Sequence, residues 1–317
     1  MNKMKYRKLG NTELKVSVIG LGTDQFSGGW NKHFTNTEVT KILNHSEKLG
    51  INFIDTAECY GDHSSELLIG ESIKNSRDHW IIETKFGHHY TDTNNLITDF
   101  SPESVLSQFE KSLKSLKTDY VDVYQFHSGT NKEFFQNELW DVLNELVKSD
   151  KIKHLGVSIV NSSILSDDYQ QLKNSKNYNC EIIQVVYNRL NAKVEEIALP
   201  YCLKNGLGVI ARVPLAKGHL SGKYLPNYQF SNDDIRSTHD KEQTKIQLEK
   251  VKQIRENEIP NGANLAQWAL SWCLKHESIS CVIPGCKNLE QLEINANTVT
   301  TDMFPTNHPL DCLLDGN

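Results

Sequence analysis

Long apolar runs are missing from this chain. No stretch approaches the roughly 18 consecutive apolar residues of a membrane-spanning helix, so no membrane partner is expected. The opening Met1–Gly10 is polar and has no apolar leader core, so no secretory signal is expected either. Cysteine pairing is also missing. The seven cysteines (Cys59, Cys180, Cys202, Cys273, Cys281, Cys286 and Cys312) are scattered and odd in number, with no C-x-x-C pair. That excludes a disulfide framework or zinc knuckle as the organising device and leads to the expectation of reduced thiols, a cytoplasmic location and no metal. Runs of Lys and Arg are absent, and the formal net charge is -6. The electrostatic footprint of a nucleic-acid binder is therefore lacking. No internal repeat or low-complexity tract is visible.

What is present is an alternation of short apolar runs and helical patterns. A hairpin is expected over Tyr6–Leu9 and Lys15–Val16, turning at Gly10-Asn11. Strands are expected at Val18–Thr23, Asn52–Asp55, Trp80–Thr84, Val121–Phe126, Ile152–Val157, Ile182–Val186, Val209–Val213 and Cys281–Ile283. Helices are expected between them. They cover Thr37–Leu49, Ser64–Lys74, Ser101–Leu116, Asn137–Ser149, Ser162–Leu172, Val194–Asn205, Asp240–Glu256, Leu265–Lys275 and Leu289–Asn297. Leu67, Leu68 and Ile73 would share one face, and Ser101 would cap a helix with Pro102 in its first position.

About eight strand–helix repeats in 317 residues match the (β/α)8 TIM barrel, as one domain spanning 1–317. A doubly wound open sheet is the rival architecture. It wants G-x-G-x-x-G after the first strand, but Gly20-x-Gly22 is followed by Thr23-Asp24-Gln25, so the third glycine is missing. The polar segments His88–Asp99 and Lys223–Lys241 are long enough to be functional loops at the C-terminal face.

Four side chains fall at or just beyond the ends of three successive strands: Asp55, Tyr60, Lys85 and His127. In a barrel they converge on the C-terminal face, where the chemistry of such folds lies. A phenol, an ammonium, a carboxylate and an imidazole in one pocket make a proton-delivery device. Reducing a carbonyl with hydride builds negative charge on oxygen, which must be stabilised and protonated. Tyr60 would give the proton, Lys85 would lower the phenol from its ordinary pKa of about 10, Asp55 would hold Lys85, and His127 would orient the substrate oxygen. Taken singly, each residue also fits an ordinary turn, surface or core role.

Together these residues resemble the aldo-keto reductase family. The opening Tyr6-Arg-Lys-Leu-Gly-Asn-Thr-Glu-Leu-Lys-Val-Ser-Val-Ile-Gly-Leu-Gly-Thr23, Asp55-Thr-Ala-Glu-Cys-Tyr60-Gly61, Lys85, His127, Gly156-Val157-Ser158, Gln184 and Ile283-Pro284-Gly285 carry the resemblance over nearly the whole chain. It implies a TIM barrel, reduction of aldehydes or ketones, and NADPH in preference to NADH. By resemblance, Ser158 and Gln184 hold the carboxamide, with Gly22, Thr23 and Asp55 near the nicotinamide and its ribose. Leu215, Gly218 and Leu220 bring backbone N–H groups to the pyrophosphate. Lys287 meets a 2′-phosphate, and Gln291 and Asn295 face the adenine. Two positions depart from the family. Arg212 stands where an aromatic residue stacks on the nicotinamide, and Ile294 replaces an acidic or amide residue.

The substrate wall is expected from Trp30, Phe86, His88 and His127. A hydroxylated, sugar-like carbonyl or an aromatic aldehyde would suit it, in a protein compatible with a monomer or a homo-oligomer. Two other functions fit the same residues. One is a barrel isomerase or lyase using Lys85 as a Schiff base or Glu58 as a base. The other is a nucleotide-sensing regulatory protein with little turnover.

Overall fold

The computed structural model describes residues 4–91, 93, 95–160 and 169–300. The chain opens with an antiparallel hairpin, β1 (Tyr6–Lys8) and β2 (Lys15–Ser17), in register Tyr6↔Ser17. Eight parallel strands follow: β3 (Leu21–Gly22), β4 (Phe53–Asp55), β5 (Ile81–Phe86) and, after a second hairpin, β8 (Val121–His127), β9 (Ile152–Ser158), β10 (Cys180–Val186), β11 (Gly208–Arg212) and β12 (Ile279–Val282). That second hairpin is β6 (His88–Tyr90) with β7 (Leu96–Thr98).

The sheet order β12-β11-β10-β9-β8-β5-β4-β3 closes on itself. Parallel bridges Ile19↔Val282 and Gly22↔Gly285 join its two ends, and Gly20 N donates to the Val282 carbonyl at 2.8 Å. This is the (β/α)8 barrel, with helices outside and the β1–β2 hairpin across one mouth. Leu9 and Val16 of the hairpin region pack with Phe53, Val123, Ile182 and Ile210 in the barrel interior.

Strand periodicity decides which residues can reach the site. Successive side chains of a strand point to opposite faces. Asp55, Lys85, His127, Gln184 and Arg212 share parity with Phe53, Ile81, Val123, Ile182 and Ile210, which face the interior. Ser158 has the opposite parity to Leu155 and Val157, which pack outward. Six of the eight strands, β4, β5 and β8–β11, therefore end their inward columns on a polar group, whereas β12 continues into Ile283. Phe86 has the outward parity. It is fully buried among Phe100, Tyr124 and Phe126 and belongs to the strand–helix core, not to the cavity wall.

Local signals explain most helices. Helix Asn36–Lys48 starts with a capping box in which the Thr35 hydroxyl accepts from Glu38 N and Glu38 Oε2 accepts from Thr35 N at 2.9 Å. Asp240 and Asn264 cap Lys241–Asn257 and Leu265–Lys275. Four details depart from expectation. Leu67 is exposed, because helix Ser64–Ile73 buries Ser65, Glu66, Ile69, Gly70 and Ile73 instead. A Cβ on Gly70 would sit 2.4 Å from the Ser115 carbonyl, so that face is set by close backbone approach. Ser101 stands at its helix start, yet its side chain makes no cap bond. The segment expected as helix Val194–Asn205 is a 3-10 turn, Lys193–Glu195, then a helix, Ala198–Asn205. Pro200, which has no N–H, is tolerated there because it falls in that helix's first turn. The polar His88–Asp99 segment is no loop but carries the β6–β7 hairpin, half-buried to exposed. The helix expected at Ser162–Leu172 lies partly outside the described residues, which show Gln170–Asn174 as helix.

Candidate active site

The C-terminal strand ends surround a cavity of about 500 Å³. That size suits a small-molecule ligand, for which pockets of roughly 300–1,000 Å³ are usual. At its floor Lys85 Nζ donates to Asp55 Oδ2 at 2.5 Å and to the Thr56 carbonyl at 2.7 Å. Lys85 is fully buried and lies 5.1 Å from the Tyr60 ring centroid. The His127 ring is edge-on to Tyr60 at 6.4 Å, and its Nδ1 faces Cys59 Sγ at 3.7 Å. The structure thus brings Asp55, Tyr60, Lys85 and His127 together. Tyr60 and Asp55 line the cavity, whereas Lys85 and His127 do not.

The electrostatics differ from expectation in one respect. Burial, then the charges of Asp55 and Asp24, push Tyr60 well above its ordinary value, and Arg212 opposes them only in part. Lys85 lies close to the ring, but its ammonium is shared with Asp55 and Thr56, and the phenol stays raised. The phenol is therefore held protonated. Burial, then Lys85, His88 and Arg212, push His127 well below the usual histidine range, so its imidazole is neutral. Burial raises the Cys59 thiol to about 12, so it keeps its proton. Glu58 is buried, raised to about 9 chiefly by desolvation, and does not line the cavity. A buried, doubly engaged Lys85 and a protonated Glu58 disfavour the lyase reading.

The other expected residues divide into two groups. Gly22, Thr23, Trp30, Gln184, Arg212, Leu215, Gly218, Lys287, Gln291 and Asn295 line the cavity. Ser158, Leu220 and His88 do not. Ser158 is fully buried and donates to Gln184 Oε1 at 3.3 Å, while Gln184 Nε2 donates to Asp55 Oδ2 at 2.8 Å and to Glu83. Leu220 is fully buried. His88 packs edge-on against His127, with ring centroids 5.2 Å apart. Thr23 Oγ1 donates to the Asp55 carbonyl at 2.8 Å. Arg212 Nη2 donates to the Ile159 carbonyl at 3.2 Å, and its buried Nε has no partner.

Asp24, Lys217 and Arg236 also line the cavity, and strand-end reasoning missed them. They sit in irregular segments, where no periodicity points. Arg236 pairs with Asp234 through Nε–Oδ1 at 2.8 Å and Nη2–Oδ2 at 2.6 Å, donates to the Lys217 carbonyl at 3.0 Å, and lies over Phe230 at 4.2 Å. The 213–218 loop has positive φ at Val213, Ala216, Lys217 and Gly218. Left-handed conformations in succession re-aim backbone N–H groups, and three of these four residues carry a Cβ that strains them. Lys287 Nζ donates to the Trp30 carbonyl, and Lys287 N donates to Gln291 Oε1 at 2.9 Å.

A model of the aldo/keto reductase family matches residues 18–307. The chain belongs to that family. An aldo-keto reductase of Bacillus subtilis is 31% identical, over 92% of this chain and 87% of its own. The NADH-specific methylglyoxal reductase of Escherichia coli is 28% identical, over 95% of each chain. The holo form of an aldo-keto reductase from Bacillus halodurans superposes with TM-score 0.79 at 28% identity, covering 95% of this chain and 92% of that one. Aldo/keto reductases are oxidoreductases of carbonyl compounds that use NAD(P)H.

The residues of this aldo/keto reductase fit such a cofactor. The same cavity is lined by Tyr60 and by Lys287, Gln291 and Asn295. The unpartnered Arg212 Nε and Gln25 Oε1 lie on its wall residues, and the strained 213–218 loop borders it. Among the described residues no cluster of three potential metal ligands exists, six cysteines are free thiols, and no helix is long and apolar enough to cross a membrane.

Proposed function

We propose that this chain is an NADPH-dependent reductase of aldehydes or ketones, with Tyr60 as general acid. One observation carries the reading: the Tyr60 ring lines the cavity with its centroid 5.1 Å from the Lys85 ammonium, which is itself ion-paired to Asp55. A nicotinamide cofactor, when bound, would supply the hydride for the carbonyl carbon. Tyr60 gives its proton to the oxygen that becomes the alcohol. As that proton leaves, the Lys85 charge stabilises the phenolate left behind. Asp55 keeps the buried Lys85 charged and in place, since a buried ammonium without a partner is strongly disfavoured. The neutral His127 has one N–H. With Nδ1 turned to the Cys59 thiol, Nε2–H is the group left to orient the carbonyl oxygen.

By the family resemblance, Gly22, Thr23, Ser158, Gln184 and Arg212 hold the nicotinamide end, and Leu215, Gly218 and Leu220 the pyrophosphate. Lys287, Gln291 and Asn295 take the adenosine. The preference for NADPH rests on charge. Lys32, Lys223 and Arg236 act on Lys287 and, after burial, help to lower its pKa. Such crowded cations favour an additional phosphate. Free thiols favour a reducing, cytoplasmic setting.

The test is fluorescence titration of NADPH and NADH, followed by a screen of aldehydes, ketones and keto-sugars. Tyr60→Phe is expected to abolish reduction and to leave cofactor affinity largely intact. Normal turnover in that variant would sink the mechanism.

A further inference from the structure

Asp24 has no role in the proton-delivery scheme, yet it lines the cavity beside it. It opens a 3-10 turn, Asp24–Ser27, directly after Thr23. The Trp30 indole N–H donates to its Oδ2 at 2.8 Å. Oδ1 has no hydrogen-bond partner among the described residues. Asp24 directly follows Thr23, whose Oγ1 donates to the Asp55 carbonyl, and this places it at the Asp55 and Tyr60 end of the cavity. A half-buried carboxylate with one oxygen unused by the protein can accept a hydrogen bond from a ligand in the cavity.

The neighbours decide which donor fits. An ammonium on the substrate would meet the cations of Arg212 and Lys217, which line the same cavity. A carboxylate would be repelled by Asp24 itself. A hydroxyl donates without charge and suits both. The Trp30 ring, held by its bond to Asp24, adds a flat apolar wall for the carbon skeleton.

We propose that Asp24 is a specificity-determining residue whose free oxygen accepts a hydrogen bond from a substrate hydroxyl, so that the site selects hydroxylated aldehydes or ketones over plain alkyl ones. The proposal rests on the reductase reading for its substrates, but the binding it describes can be measured apart from turnover. A site built to pair a hydroxyl discriminates strongly against the analogue that lacks it.

Two measurements test it. The first is the kcat/KM ratio for glyceraldehyde over propanal. The wild-type ratio is expected to be on the order of 10² and to fall at least about tenfold in Asp24→Leu. Asp24→Asn, which keeps an acceptor for Trp30, should fall less, as should Trp30→Phe, which keeps the carboxylate. The second is calorimetric binding of glycerol against 1-propanol to protein loaded with NADP⁺, where the preference for glycerol should disappear in Asp24→Leu and weaken in Asp24→Asn. If neither aldehyde is reduced but glycerol binding still depends on Asp24, the reductase reading falls and the Asp24 assignment stands. A ratio and a glycerol affinity unchanged in both Asp24 variants would overturn the assignment.

Discussion

The two mouths of this barrel use their ionisable groups in opposite ways. At the hairpin end, Arg7 donates to the carbonyls of Leu274 at 2.7 Å, Ile279 at 2.5 Å and His276 at 3.4 Å, tying β1 to the region before and within β12. His154 is bracketed by Glu181 at 2.6 Å and Glu13 at 3.0 Å. Arg77 bridges Asp122 at 2.9 Å and caps the Trp80 carbonyl at 2.7 Å. These groups are satisfied by the protein itself. At the cavity end, Arg212 Nε, Gln25 Oε1 and Asp24 Oδ1 are left without partners, and loop backbone is strained. A saturated group can only hold the fold, whereas a group with spare capacity can bind something. The same fold therefore carries stability at one end and chemistry at the other.

Substitutions at the two ends should separate these roles. Tyr60→Phe is expected to cost a factor of roughly 10² to 10⁴ in kcat, the usual worth of a positioned general acid, with little change in the thermal midpoint. A parallel loss of stability would blur the contrast. Arg7→Ala should do the reverse. Leaving three carbonyls without their charged donor should cost about 2–4 kcal/mol in chemical denaturation, with kcat/KM at 25 °C retained. A variant as stable as the parent would show that the hairpin does not depend on this clamp.

Smaller effects sharpen the comparison. Lys287→Ala should weaken NADPH about tenfold more than NADH, on the order of 1.4 kcal/mol. Equal losses for both cofactors would remove the 2′-phosphate assignment. The His154 clamp should give the smallest effect, below about 1 kcal/mol, since both carboxylates are largely in water. Burial opposes charge on His154, but hydrogen bonds to Glu181 and Glu13 prevail and raise its pKa. The clamp's stabilisation is then complete below the unfolded histidine value near about 6.5 and is lost as pH rises through the raised folded value. His154→Gln should flatten the pH dependence of stability in that window. An unchanged slope would place its origin elsewhere.

Much of the barrel was legible because its signals are local. Apolar runs, Gly50 after the first helix and the Asp240 cap are all readable without neighbours. The β6–β7 hairpin was not, since its residues are half-buried or exposed and Asn, Asp and Thr hide any alternation. Phe86 was misjudged although strand parity was available. It lies one residue beyond Lys85 and so faces the other side. Asp24, Lys217 and Arg236 had no signal, because irregular backbone has no period from which a direction can be read.

The sequence by itself determined the family, the barrel and the chemical types at the strand ends, for these follow from motif and from period-2 alternation. Only the tertiary structure decided how those groups are charged and what they can reach. The Tyr60 phenol is raised, not lowered, because burial and the charges of Asp55 and Asp24 outweigh a lysine already paired. Asp24 faces the cavity because a turn closed by Trp30 puts it there. Charge state and reach depend on distances between segments remote in the chain, and those distances exist only once the barrel has closed.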